Sequence, residues 1–194
     1  MLLSNQLSLA LRLSTVSLAF AALASCATLN EDECRSVDWT QLGQQDGVAG
    51  HPSSYIDNHR SACAEHKLPV DEQQWSAGWE QGIRLFCTPQ NGLIHGREGR
   101  SYANSCPMEV KTDFEGAYSV SKAVYDARNS RDRLQRELDS LLDARDKAEK
   151  PEDRQRISRE IDTKRSAVRM AERRLWDAEG DYDIYVASQG MMRR

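Results

Sequence analysis

The sequence predicts a mainly α protein, with a small disulfide-stapled helical domain followed by a long antiparallel two-helix coiled-coil hairpin. Three observations carry the prediction. Side chains suited to cap helices precede short segments that end in Gly and Pro; four cysteines fall in the same part of the chain, within or around those segments; and two long stretches with apolar residues spaced by 3 and 4 are separated by a single break at Pro151. The chain has 194 residues, 39% of them hydrophobic and 29% charged, which permits one domain with an appendage and excludes a polytopic membrane protein. Its 26 Lys and Arg against 30 Asp and Glu give a net charge of -4, too balanced for a dedicated nucleic-acid binder.

Residues 1–25 read as a leader. The apolar run from Leu13 to Leu23 falls short of the roughly 20 residues needed to span a bilayer, and it ends in Leu23-Ala24-Ser25-Cys26. That tetrapeptide resembles the lipobox of bacterial lipoproteins, which implies lipid attachment at Cys26, cleavage before it and a lipidated tether over residues 26–33. Arg12 is the one basic side chain ahead of the apolar run, fewer than such leaders carry. Several acyl chains on one residue anchor a protein stably to a membrane, at about 0.8 kcal/mol per buried methylene. Ala27 after the anchor, where lipoproteins held in the inner membrane commonly carry Asp, implies the outer membrane and a periplasmic orientation.

With Cys26 set aside, Cys34, Cys63, Cys87 and Cys106 form an even set, which in an oxidising compartment means two disulfides with three connectivities to choose from. Zinc is the rival reading of His59-x3-Cys63, but no C-x2-C pair accompanies it and export favours oxidation. No metal or cofactor is therefore expected. Residues 27–110 hold 6 basic and 12 acidic side chains, against 19 and 18 in residues 111–194, and this shift sets a domain of residues 34–110 apart from a hairpin of residues 111–190 and a tail of 191–194.

Within the first part, Asp38 can cap a helix from Trp39 to Val48, Ser53 or Ser54 one that runs to Glu65, and Asp71 with Gln74 one that runs to Phe86. Gly50-His51-Pro52, Lys67-Leu68-Pro69 and Thr88-Pro89 separate them. Glycines repeat at i, i+4 as Gly43 and Gly47, then Gly78 and Gly82, beside Trp39, Trp75 and Trp79. Because glycine inside a helix costs about 1 kcal/mol relative to alanine, these pairs point to faces that pack very closely. The sharper alternative is a ligand groove lined by the three indoles. Gly92, Gly96 and Gly99 read as a turn-rich loop or small hairpin, not a phosphate loop, since no G-K-[ST] follows.

Helix direction selects among the connectivities. Antiparallel neighbours bring Cys63, late in the second helix, near Cys34, which precedes the first, and leave Cys87 on the order of 20 Å from Cys63 at 1.5 Å per residue. The expected bridges are Cys34 to Cys63 and Cys87 to Cys106, each contributing roughly 3 kcal/mol.

Beyond Lys111, Ala117, Val124, Leu134, Leu138 and Leu141 share one helical stripe, and Ile157, Ile161, Val168, Ala171 and Leu175 share another. Folding back at Pro151 pairs positions whose numbers sum to 302, so Leu134 meets Val168 and Ala117 meets Tyr185. Arg131, Arg145 and Lys164 interrupt the stripes and should send their charges to water. Phe114, Tyr118, Tyr125 and Trp176 lie off the stripes, where the hairpin base would dock on the first domain.

Taken together, Asp38-Trp39, Gly43, Asp46-Gly47, Gly50, His59, Cys63, Gly78, Gly82, Cys87, Gly92, Gly96, Gly99, Tyr102 and Cys106-Pro107 resemble the bacterial lipoproteins grouped as DUF2799, over roughly residues 34–120. The resemblance implies an envelope lipoprotein and transfers no catalytic residue. The expected function is that of a noncatalytic cell-envelope lipoprotein, anchored to the outer membrane by its lipid and meeting an envelope protein partner through the hairpin, with no nucleic acid involved. The alternative is a periplasmic ligand-binding protein or an enzyme acting on cell-wall material, with Asp38, Trp39, Asp46, His59, Trp75, Trp79 and Tyr102 as candidate binding residues. None of them belongs to an H-E-x-x-H, G-x-S-x-G or S-x-x-K arrangement.

Overall fold

A computed structural model describes residues 28–190, so the lipidation expected at Cys26 lies outside the described residues. Within them are seven α-helices, one 3-10 turn (Ser53–Tyr55) and no strand: α1 (Glu31–Ser36), α2 (Trp39–Val48), α3 (Ile56–Glu65), α4 (Glu72–Phe86), α5 (Pro89–Arg97), α6 (Met108–Lys147) and α7 (Pro151–Ser188). The chain forms two compact units, one of residues up to Val37 with Asp57–Val70, the other of Asp38–Ile56 with everything from Asp71 onward. This division differs from the boundary expected near residue 110. The first part of α6 packs on α5, so the hairpin and the segment before it belong to one unit.

In the first unit, α1 starts inside the stretch expected as a tether. Asn30 accepts from the Glu33 N–H at 3.0 Å while the Glu33 carboxylate accepts from the Asn30 N–H at 2.8 Å, a complete capping box that satisfies two orphan donors. Cys34 of this short helix is bridged to Cys63 of α3, with Cα atoms 5.7 Å apart. A six-residue helix cannot hold itself together in water, and the bridge ties it to a longer one. Leu29, Cys34, Ala62 and Cys63 are buried here.

The second unit is organised by glycine. Asp38 and Asp71 cap α2 and α4 as expected, each accepting a backbone N–H three residues on, at 3.0 and 2.9 Å. A methyl group added to Gly43 would lie 2.0 Å from the Trp75 carbonyl oxygen, one on Gly78 1.9 Å from that of Thr40, and one on Gly82 2.1 Å from that of Gln44. The two helices thus touch backbone to backbone, each supplying glycines to the other. Gly50, at φ 81°, ends α2 in a conformation that L side chains rarely adopt, and it lets His51 N–H reach the Asp46 carbonyl at 3.0 Å.

The segment expected as a turn-rich loop is instead the helix α5. Thr88 caps it by accepting from the Asn91 N–H at 3.2 Å, and Pro89 occupies its first turn, where the missing N–H costs nothing. Its glycines repeat the spacing of the earlier pairs for the same reason. Added methyls at Gly92 and Gly96 would lie 2.5 Å from the Phe114 and Tyr118 carbonyl oxygens of α6. The expected bridge from Cys87 to Cys106 is present, with Cα atoms 5.7 Å apart.

Helices α6 and α7, of 40 and 38 residues, run antiparallel. Pro151 starts α7, with Glu152 and Asp153 in its first turn. Leu138, Ile157, Ile161 and Val168 form a buried cluster, packed by Leu134, Leu141, Leu142 and Ala148. The register lies within a turn of the expected one: Glu137 faces Lys164, one residue from the expected pairing, and the Tyr185 ring covers Gly116, the neighbour of Ala117. The three charges on the stripes end in ion pairs at the solvent-accessible surface, Arg131 with Asp132 at 2.6 Å, Arg145 with Asp146 at 2.8 Å and Lys164 with Glu137 at 2.6 Å.

The glycine contacts set opposite expectations for one substitution at two places. Gly82→Ala should destabilise the chain by at least about 2 kcal/mol, since the intruding methyl meets backbone that cannot give way. Gly180→Ala, on an open helix surface, should stabilise it by about 0.5 to 1 kcal/mol. Chemical denaturation of both variants measures the two effects.

Candidate functional site

The tryptophans form a core, as the close-packing reading of the glycine pairs expects, rather than the alternative groove. Trp75 is 2% exposed and donates its indole N–H to the buried Asp46 carboxylate at 2.8 Å, across the contact between α2 and α4. Trp79 donates to the His51 carbonyl at 2.8 Å and stacks on Trp75 with ring centroids 6.2 Å apart. Trp39 is buried as well. Where the glycines let α2 approach α4 backbone to backbone, all three indoles are buried. Asp38 serves as the cap of α2. Asp46 is the acceptor for a buried indole, a role that keeps a polar group in the core satisfied.

Tyr102 accepts from the Cys106 N–H at 3.1 Å and packs against Phe114 and Tyr118, with centroids 4.8 and 5.6 Å away. Burial pushes its phenol above the ordinary range. Tyr118 in turn donates to the Arg100 carbonyl at 2.9 Å. These rings hold the segment after α5 against α6 and stand around the bridge of Cys87 to Cys106.

His59 sits in the other unit, on α3. Its Nδ1 shares a hydrogen bond of 2.9 Å with Thr28 Oγ1, the arrangement here that comes nearest to a hydroxyl beside a base. The ring is only 2% exposed, which closes it off from a substrate. Cys63, its partner in the zinc reading, is consumed by the disulfide. Among the described residues, no group of three or more His, Cys, Asp or Glu side chains is placed to hold a metal ion.

Open surface lies on the hairpin. A cleft of about 680 Å³ is lined by Arg133, Arg136, Ser140, Leu141, Glu160 and Thr163, with the Glu137 and Lys164 pair in its wall. The Lys164 ammonium holds the Glu137 carboxyl below the usual carboxylate range. A second cleft, of about 400 Å³, is lined by Arg169, Glu172, Arg173 and Trp176. Of the four aromatic residues expected at the hairpin base, Phe114 is buried, while Tyr118 and the Tyr125 ring, which covers Gly99, pack on the segment of α5. Trp176 does not dock there. It is 75% exposed, about a quarter turn around α7 from the buried stripe.

Sequence reasoning also missed Ser121, fully buried, which donates to the Ala117 carbonyl at 2.8 Å and lies under Gly96. The signal was present: Gly92 and Gly96 repeat the i, i+4 spacing of the other close-packed pairs.

These features define a class: a disulfide-stapled helical protein with a long two-helix hairpin. Residues 38–123 match the family model described as a protein of unknown function, DUF2799. The matched segment begins at the cap of α2 and ends within α6, leaving Cys34 and the greater part of the hairpin outside it. No curated protein and no solved structure matches the chain.

One titration accompanies the packing of α5. Burial, and after it the Arg100 guanidinium, holds the His95 imidazole below its ordinary range, and its ring meets Phe86 edge-on at 4.9 Å. The unfolded chain therefore binds the proton more readily than the folded one. Stability contributed by neutral His95 is present above about pH 6.5 and is lost as the pH falls through the lowered value. His95→Gln should melt with a shallower decline than the parent chain between pH 7 and 5, read by thermal unfolding followed by circular dichroism.

Proposed function

We propose that the chain is a noncatalytic lipoprotein of the bacterial cell envelope, attached through Cys26 to the outer membrane on its periplasmic side, which holds its hairpin out to an envelope protein partner. Leu23-Ala24-Ser25-Cys26 supports the anchor, and two disulfides suit an oxidising compartment. The observation that carries the interaction role is the self-contained core of the distal hairpin. Leu134, Leu138, Leu141, Ile157, Ile161 and Val168 all come from α6 and α7, so this part of the arm needs no other element for its stability. At 1.5 Å per residue, helices of 40 and 38 residues extend nearly 60 Å, about ten turns. An arm of that length brings its tip, residues 144–156, within reach of a surface at a distance, and its seam serves to hold it there.

The membrane anchor is tested by metabolic labelling. Cys26→Ser should abolish incorporation of palmitate, and unchanged labelling would place the acceptor elsewhere. The arm is tested with a photoreactive amino acid at Glu149, near the tip. Deleting residues 131–137 together with 165–171 removes one heptad from each helix and preserves the seam. This variant should keep both disulfides and its membrane attachment yet lose the protein adduct formed at the tip. An adduct of undiminished yield would show that the contact does not depend on the length of the arm, and the absence of any adduct in the parent chain would remove the tip as the binding site.

A further inference from the structure

The hairpin carries a second seam that it does not use. On α7, Arg169, Arg173, Trp176, Gly180, Asp183 and Ala187 follow spacings of 4, 3, 4, 3 and 4, which places them on one face, and all six are exposed. Hydrophobic burial in the hairpin uses another face, that of Ile157, Ile161, Val168, Ala171 and Leu175. Gly180 is the anomaly. Each glycine pair in α2, α4 and α5 meets the backbone of a neighbouring helix, whereas a methyl group on Gly180 would meet nothing within 4 Å. A glycine in the middle of a long solvent-facing helix weakens it without any return inside the chain. Beside it, Trp176 exposes an indole that 75% of its surface leaves in water. Neither Arg173 nor Asp183 has an ion-pair partner among the described residues.

We propose that this face binds the same face of a second copy of the chain, antiparallel, about a twofold axis level with Ala178. In an antiparallel pair with this spacing, the positions that share a layer are those placed symmetrically about the axis. Trp176 of each copy then lies over Gly180 of the other, the large ring filling the space that the missing side chain leaves. Arg173 of each copy lies against Asp183 of the other. The charge order selects this arrangement. A parallel pair in register would set Arg173 against Arg173 and Asp183 against Asp183, with Trp176 meeting its own copy and the two Gly180 notches facing each other empty. An antiparallel pair satisfies both charges and both notches at once.

Sedimentation velocity of the full chain as purified from the producing cells, over a wide concentration range, tests the dimer. The parent chain should associate reversibly. Gly180→Leu fills the notch and should weaken association at least tenfold, while circular dichroism shows the helices intact. Arg173→Asp and Asp183→Arg should each weaken it similarly, and the two reversals combined in one chain should restore it to within about threefold. A parent chain that stays monomeric overturns the proposal, including the case in which Trp176 emission instead shifts on vesicles of phosphatidylglycerol. A dimer indifferent to Gly180→Leu, or one that the double reversal fails to restore, overturns it equally.

Discussion

Backbone carbonyls of α2 and α4 stand where the first carbon of a side chain would otherwise be, and this contact governs much else in the larger unit. Gly43, Gly47, Gly78 and Gly82 admit it reciprocally, each helix giving up side chains where the other's main chain approaches. The loss of helix propensity, about 1 kcal/mol per glycine, is offset by dispersion contacts where the two backbones meet. At that separation Trp75 and Trp79 have nowhere to go but across the pair. Asp46 can then be buried, because the Trp75 indole N–H reaches it at 2.8 Å.

The same device recurs between α5 and α6, where Gly92 and Gly96 meet the Phe114 and Tyr118 carbonyls, and there it gains a covalent limit in the bridge of Cys87 to Cys106. Asn91 adds a polar one, donating its side-chain amide to the Leu85 and Phe86 carbonyls at 3.1 Å and so satisfying groups left over at the end of α4. The hairpin departs from this pattern. Its seam is built from Leu, Ile and Val, with ion pairs such as Arg128 to Glu179 at 3.2 Å along its edges, and exposed pairs of this kind contribute little to stability. The apolar stripe supplies the binding energy between its helices, and the charges keep the arm in water.

This contrast bears on function. Where the residues look most chemical, in the Asp, Trp, Tyr and His of the segment before the hairpin, they cap helices, satisfy indoles and surround a disulfide. On the exposed faces of α6 and α7 charged side chains stand beside Met170, Trp176 and Ile184, a mixture suited to a contact surface. The proposals for the hairpin tip and for the exposed face of α7 both rest on this distribution.

The sequence by itself determined the helices whose ends carry caps or prolines, the two disulfides, and the register of the hairpin to within a turn. Each of these follows from local chemistry or from a repeat: Asp38 and Asp71 offer a carboxylate to a nearby N–H, helix direction decides which cysteines can meet, and matched stripes permit one seam. Only the tertiary structure decided that Pro89–Arg97 is helical, that Trp39, Trp75 and Trp79 are core, and that Trp176 faces solvent. Glycine explains the first of these. In isolation Gly92, Gly96 and Gly99 favour a turn, and they become helical or helix-ending positions only because α6 lies close enough to reward their lack of a side chain. For the indoles the reason is similar: an aromatic ring beside a glycine suits a ligand groove or a packed helix pair equally well, and the distance between the two backbones settles which.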